Sequence, residues 1–277
     1  MKIFALDTSS KIATIGILED EKVLLENTLN DKKTHSENLM PMIETAFKSV
    51  DLTPEDIDVF GVTIGPGAFT GLRIGISTIK GMAEAFGKPV VGLSALEVLA
   101  AGIAPTDRII CPILDAQRRQ VYAGLYQYRR DQSIDNRPNR ESHYNPEDPG
   151  NFQNPGNSDS NKKNEAIVTM VRETEVIKIQ DLIEVAAKLE RKIIFVGDGV
   201  SLYENILEES LGDSFEKAFF AHQIPRASVV GELTRRKHLA GKSYGTEELK
   251  PIYLRKSQAE VQFDERQKSL GKEASAE

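Results

Sequence analysis

The spacing of apolar and polar positions divides the first hundred residues into short strands and helices. Lys2 to Leu6 is an apolar run that stops at the polar turn Asp7-Thr8-Ser9-Ser10. Ile12 to Leu18 alternates Ile15 and Ile17 against Thr14 and Gly16, and a Glu19-Asp20-Glu21 turn leads into a third strand, Lys22 to Leu29. Thr34-His35-Ser36-Glu37 has the Ser/Thr-x-x-Glu form of a helix capping box. Behind it Leu39, Ile43, Ala46, Phe47 and Val50 recur at helical spacing, with Pro41 predicting a kink or a short first turn. Val59 to Ile64 reads as a strand, Thr70 to Phe86 as a helix, Pro89 to Leu93 as a strand and Ala95 to about Ala101 as a helix capped by Ser94. A meander followed by strand–helix units predicts a mixed sheet with helices packed on it.

The second half begins in the same way, with strands over Arg108 to Leu114 and Gln120 to Tyr128. From 129 to 165 the chain turns to Asn, Pro, Ser, Gly and charges. Such a stretch buries too little apolar area to offset its ordering entropy, so it reads as a disordered or loosely attached insertion. Pattern resumes with strands over Ala166 to Met170, Glu175 to Ile179 and Lys192 to Val196, and with helices over Asp181 to Leu189, Val200 to Leu211 and Ser228 to Leu239. These elements predict a lobe over 1–104, a second over 105–260 interrupted by the insertion, and a polar tail over 261–277. Each half opens with strands and continues into helices.

Composition narrows the function. The 277 residues suit about two domains at roughly 150 residues each. A net charge of −7 and the absence of Trp argue against autonomous nucleic-acid binding, which needs a basic face. One cysteine, Cys111, excludes an internal disulfide framework and a multi-cysteine zinc site, and fits a reducing cytosol. The opening residues meet Asp7 too early for a signal-peptide core, and no apolar run reaches the roughly 20 residues that span a bilayer. The expected location is cytoplasmic.

Three segments carry candidate chemistry. Asp7-Thr8-Ser9-Ser10 could hold a phosphate's metal or water shell, and the same residues also make ordinary turns. Gly197-Asp198-Gly199 stands between a strand and a helix, where backbone N–H groups can bind an anion. Gly65-Pro66-Gly67-Ala68-Phe69-Thr70-Gly71-Leu72-Arg73-Ile74-Gly75 is the least ordinary. Gly71, Gly75 and Gly81 lie inside the predicted helix, where each costs about 1 kcal/mol relative to Ala. That helix is apolar nearly all round, so it is buried on more than one side. Its small-residue face either lines its own domain or meets a second subunit. None of His35, His143, His222 and His238 has a second His at i+4, and there is neither a G-x-S-x-G elbow nor a Walker A sequence.

Asp7-Thr8-Ser9, His35-Ser36-Glu37, the long glycine motif and Pro251-Ile252-Tyr253-Leu254-Arg255 together resemble the bacterial TsaB (YeaZ) family. The likeness covers about 1–128 well and about 166–260 more loosely. It implies an α/β actin/hexokinase/heat-shock-type ATPase fold (ribonuclease H-like): two related lobes, each a mixed sheet with flanking helices. It implies a non-catalytic scaffold in the assembly that adds a threonylcarbamoyl group to adenosine beside the tRNA anticodon. The implied partners are a TsaD-type catalytic paralogue and a TsaE-type ATPase, with tRNA met only through the complex. The paralogue carries a His-x-x-x-His metal motif on the helix after its fifth strand. The matching positions here are Ala95 and Leu99, so neither a metal site nor catalytic residues are expected. Gln117 stands where the family usually has Arg, with Arg118 next to it.

The expected docking surface comprises Met40, Ile43 and Phe47 with Gly71, Gly75, Thr78 and Met82. Left without the partner, this surface is expected to self-associate as a homodimer. No cofactor is expected beyond weak, vestigial nucleotide binding at Asp7, Thr8, Ser9, Gly197, Asp198 and Gly199. The alternative is a nucleotide-hydrolysing or phosphotransferase enzyme of the same fold, using those same loops.

Overall fold

The computed structural model describes residues 1–30, 35–130 and 166–255. Thr34 of the capping sequence, the insertion from 131 onward and the polar tail lie outside the described residues.

The first sheet holds β1 (Lys2–Asp7), β2 (Ala13–Glu19), β3 (Lys22–Leu29), β4 (Val59–Gly65) and β5 (Val90–Ser94) in the order β3-β2-β1-β4-β5. β1 pairs antiparallel with β2, and β2 with β3, while β1–β4 and β4–β5 are parallel. The second sheet holds β6 (Ile109–Asp115), β7 (Gln120–Arg130), β8 (Ala166–Lys178), β9 (Ile193–Val196) and β10 (Phe215–Lys217) in the order β10-β9-β6-β7-β8. Its pairings repeat the first sheet's strand for strand: two antiparallel, then two parallel. Each lobe thus has the same hairpin-then-crossover topology, the doubled arrangement of the actin/hexokinase/heat-shock-type fold.

The helices are α1 (His35–Ser49), α2 (Phe69–Phe86), α3 (Ala95–Ala101), α4 (Ile179–Ala187), α5 (Asp198–Leu211) and α6 (Ala227–Leu239). α1 continues through Pro41 as one helix. α2 ends at Gly87 with φ 61°, whose N–H bonds back to the carbonyls of Ala83 and Glu84; the left-handed conformation there favours glycine. In α3 the Ser94 side chain accepts from the Glu97 N–H at 3.5 Å.

β1 is central and apolar on both faces. Phe4 and Leu6 join Ile43, Phe47 and Leu72 beneath α1 and α2, while Ile3 and Ala5 join Ala227 and Val230 on the opposite face. The second sheet is covered by α4 and α5 on one face and by α3 on the other. The last helix of each lobe therefore lies on the other lobe's sheet: α3 follows β5 yet packs against Ile110, Leu114 and Val196, and α6 follows β10 yet packs on β1, β2, β4 and β5.

This corrects the expected boundary of 105–260. From Ala227 the chain returns to the first lobe: α6 packs on its sheet, and Tyr244 and Leu249 join the core beneath α1 and α2. Close approach makes that possible: a Cβ on Gly61 of β4 would sit 1.9 Å from Thr234 Oγ1, so α6 seats against bare backbone. After α6, Tyr244 exchanges backbone hydrogen bonds with Val90 at 2.9 and 3.0 Å, extending the sheet past β5.

Other expectations also shift. Arg129 and Arg130, placed in the insertion, instead end β7 opposite Ile167 and Ala166. The two strands expected over 166–179 form one strand, β8, whose polar middle is accommodated because β8 is an edge and its pairing is irregular near Leu125. β10, three residues long, carries no periodic signal and was not expected.

Glu26 of β3 fastens the start of α6. Its carboxylate accepts from the Ser228 N–H at 2.8 Å and the Ser228 hydroxyl at 2.7 Å, and it pairs with Arg226. Burial pushes its pKa up, but the hydrogen bonds from Arg226 and Ser228 outweigh it and hold the carboxyl below its ordinary value of 4.5. A carboxyl with a lowered folded pKa contributes stability above its unfolded pKa and loses it as pH falls through the folded value. Glu26→Gln is expected to cost about 1–2 kcal/mol at pH 7. That deficit should shrink below pH 4.5, as read from denaturant melts at both pH values.

Candidate functional site

A cleft of about 440 Å³ opens between the lobes. One wall is the β1–β2 turn, through Ser9, Ser10 and Lys11, together with Thr70 at the start of α2. The other is Asp115 to Gln117 with Asp198. The glycine motif shapes the first wall. A Cβ on Gly67 would lie 2.1 Å from the Ser9 carbonyl oxygen, and the Ala68 N–H donates to that same oxygen at 2.7 Å. The loop is thereby pressed onto the turn.

This packing withdraws Asp7 from the cleft. Asp7 is fully buried. Its Oδ1 accepts from the Ser9 N–H at 3.3 Å, the Ser9 hydroxyl at 2.7 Å and the Thr63 hydroxyl. Thr8 is equally enclosed, and its hydroxyl donates to the Gly71 carbonyl at 2.8 Å. Of the first trio, only Ser9 lines the cleft.

The second trio divides similarly. A Cβ on Gly197 would meet the Ile113 carbonyl oxygen at 2.2 Å, and one on Gly199 would meet the same atom at 3.1 Å. These glycines let α5 pack against β6. The Gly197 N–H already donates to Gln223 Oε1 at 2.7 Å. Asp198 does line the cleft; its Oδ1 accepts from the Asp115 N–H at 3.0 Å, and burial lifts its carboxyl above the ordinary range. Gln117 lines the cleft too, whereas Arg118 is exposed and lies outside the lining.

The two strongest sequence motifs meet at this cleft. Tyr253 stacks on Phe69, with ring centroids 4.6 Å apart and planes 11° apart. Its hydroxyl accepts from Arg73 Nε at 2.9 Å. The Ile252 N–H donates to the Ile64 carbonyl at 2.7 Å, and Arg255 reaches across to the Ala116 carbonyl on the second lobe. Arg255, the last residue of that motif, also lines the cleft.

The expected docking residues fall into two groups. Met40, Ile43, Phe47 and Met82 border a groove of about 540 Å³ between α1 and α2. Met40 is 56% exposed on its rim, while Ile43 and Phe47 are core residues whose edges reach it, Phe47 stacking on Phe4 at 5.3 Å. Thr78 is half-buried and outside the groove lining. Gly71 and Gly75 face inward: both are buried, and a Cβ on Gly75 would stand 2.2 Å from Thr8 Oγ1. The small-residue face thus receives β1's turn, and Gly71 and Gly75 are not exposed for docking.

On α3, Ala95 and Leu99 are buried among Leu114, Tyr122 and Tyr126, so both positions are filled core. Glu97 between them pairs with Lys237 at 2.7 Å. Among the described residues, no three His, Cys, Asp or Glu side chains are grouped to hold a metal ion, and no helix is long and apolar enough to cross a membrane.

Two lobes of duplicated topology around a cleft define an actin/hexokinase-type protein. Residues 22–263 match the family model described as "TsaD: tRNA N6-adenosine threonylcarbamoyltransferase". The tRNA threonylcarbamoyladenosine biosynthesis protein TsaB of Bacillus subtilis (strain 168) is 31% identical over 268 residues, covering 97% of this chain and 100% of that protein. TsaB of Buchnera aphidicola subsp. Schizaphis graminum is 26% identical over 199 residues, covering 71% and 78%. YeaZ from Pseudomonas aeruginosa superposes with a TM-score of 0.64 at 19% identity, covering 91% of this chain and 100% of that one. The chain belongs to the TsaB (YeaZ) family, within the wider group that includes TsaD.

Proposed function

We propose that this protein is the non-catalytic partner subunit in tRNA threonylcarbamoyladenosine synthesis, docking on a TsaD-type paralogue through the α1–α2 groove. The family's role in that biosynthesis is carried by its curated members. The observation that carries the non-catalytic reading is the filled core at Ala95 and Leu99, where the resemblance places the paralogue's metal ligands. The enclosed Asp7 supports it further. In a phosphotransferase or nucleotide-hydrolysing enzyme of this fold Asp7 would serve the phosphate loop, and here it is sealed behind Ser9 and Thr63, which leaves Asp115 and Asp198 as the carboxylates of the cleft. Nucleotide binding at the cleft would then be weak and rest on Ser9 and Asp198. A role in tRNA modification supports a cytoplasmic location; the TsaE-type ATPase would join the assembly, and tRNA would be met through the complex. Without its partner, the exposed Met40 rim favours a homodimer.

Reconstitution tests this reading. The chain with its genome's TsaD-type paralogue, TsaE-type ATPase and threonylcarbamoyl donor should support tRNA modification, and omitting the chain should abolish it. Modification at full rate without the chain would overturn the scaffold role. Elemental analysis of the purified chain is expected to find no stoichiometric iron or zinc; about one tightly held metal per chain would reopen the enzyme reading.

A further inference from the structure

α6 presents a second face away from the first sheet. With the Ala101–Pro105 connection and the ends of β7 and β8, it walls a groove of about 960 Å³, within the roughly 300–1,000 Å³ of small-molecule sites. This groove shares no lining residue with the interlobe cleft or with the α1–α2 groove. Ile103, Val168, Val229 and Leu233 give it apolar walls.

Its charge opposes that of the whole chain. Arg235, Arg236, Lys237 and Lys242 line it against two carboxylates, Glu97 and Glu232. Both carboxylates are engaged: Glu97 with Lys237 at 2.7 Å and Glu232 with Arg236 at 2.6 Å. Arg235 uses one terminal nitrogen on Glu21 at 3.1 Å. Its Nε is shut off from solvent with no hydrogen-bond partner among the described residues, and so is Nδ1 of His222 in the same wall. Lys242 is exposed and has no ion pair among the described residues. A cationic excess beside apolar walls, in a chain of net charge −7, suits a ligand with the complementary build.

We propose that this groove binds a small amphipathic anion. The apolar body would lie on Val229 and Leu233. The oxyanion head, a carboxylate, phosphate or sulfonate, would lie at Arg235 and Lys242, where a turn of the Arg235 side chain brings its unspent donor to the ligand.

The probe is 1-anilinonaphthalene-8-sulfonate, paired with N-phenyl-1-naphthylamine, which has the same rings and no charge. Titration of the full chain should show saturable binding of the sulfonate at one site per chain. The double variant Arg235→Gln/Lys242→Gln should weaken sulfonate binding about tenfold and leave the neutral amine unchanged. Ala104 is exposed in the groove wall, and Ala104→Trp should exclude both probes. Melting curves establish that each variant is folded; should Ala104→Trp fail to fold, the charge variant decides alone. Non-saturable binding overturns the proposal, as does sulfonate affinity unchanged in the double variant.

Discussion

Gly75→Leu is expected to destabilise the isolated chain by about 3 kcal/mol or more, through overpacking of a closed core. Even Gly75→Ala should cost stability. Its Cβ would lie 2.2 Å from Thr8 Oγ1, and Thr8 cannot yield easily because it is fully buried and hydrogen-bonded to Gly71. Helix propensity pulls the other way by about 1 kcal/mol, too little to offset a collision of that depth. Gly81 provides the internal control. It lies in the same helix, and a Cβ there would meet nothing within 4 Å. Gly81→Ala should therefore stabilise the chain by about 0.5–1 kcal/mol. Thr8→Ala should recover part of the loss in Gly75→Ala. Equal melting temperatures for Gly75→Ala and the parent would refute the inward packing of this helix.

Met40→Glu should act in the opposite sense, leaving the monomer intact and weakening assembly. Met40 is 56% exposed at the groove rim, so a carboxylate there stays hydrated in the free chain. Docking would bury that charge without a partner, and affinity for the TsaD-type paralogue should fall at least about tenfold, which is about 1.4 kcal/mol. Phe47→Ala is a poorer probe. Phe47 stacks on Phe4 in the core, so its loss should cost the monomer about 3–5 kcal/mol before docking is considered. Calorimetric titration with the paralogue, beside a melt of the same sample, separates the two effects. Normal affinity in folded Met40→Glu would remove the groove from the interface.

The contrast between these residues marks what the sequence could convey. The alternation of Ile15 and Ile17 against their neighbours, and the helical recurrence of Leu39, Ile43 and Phe47, are local patterns, so β2 and α1 were legible within a few residues of their bounds. The glycines of α2 announced a close approach but not its direction. Gly75 meets Thr8, which is distant along the chain and belongs to no shared periodicity. Asp7 was legible as a polar turn; its enclosure depends on Thr63 and on the press of Gly67, both from the β4 end. α6 was legible as a helix. Its destination was not, because an apolar face at Val230 fits either sheet and only the bare backbone at Gly61 selects the first. Tyr253 and Phe69 belong to separate motifs, and their stacking makes them one unit.

The crossing of α3 and α6 also sets an order of events during synthesis. The strands of the first sheet are complete at Ser94, yet one of its faces is covered by a helix that begins at Ala227. At roughly 5–20 residues per second, the intervening stretch of about 130 residues takes on the order of ten seconds to translate. Through that interval Ile3, Ala5, Val59 and Val91 lack their cover from Ala227 and Val230. The nascent chain thus carries an apolar face without that cover past the ribosome, and one face of its earliest strands waits on the last helix to be made.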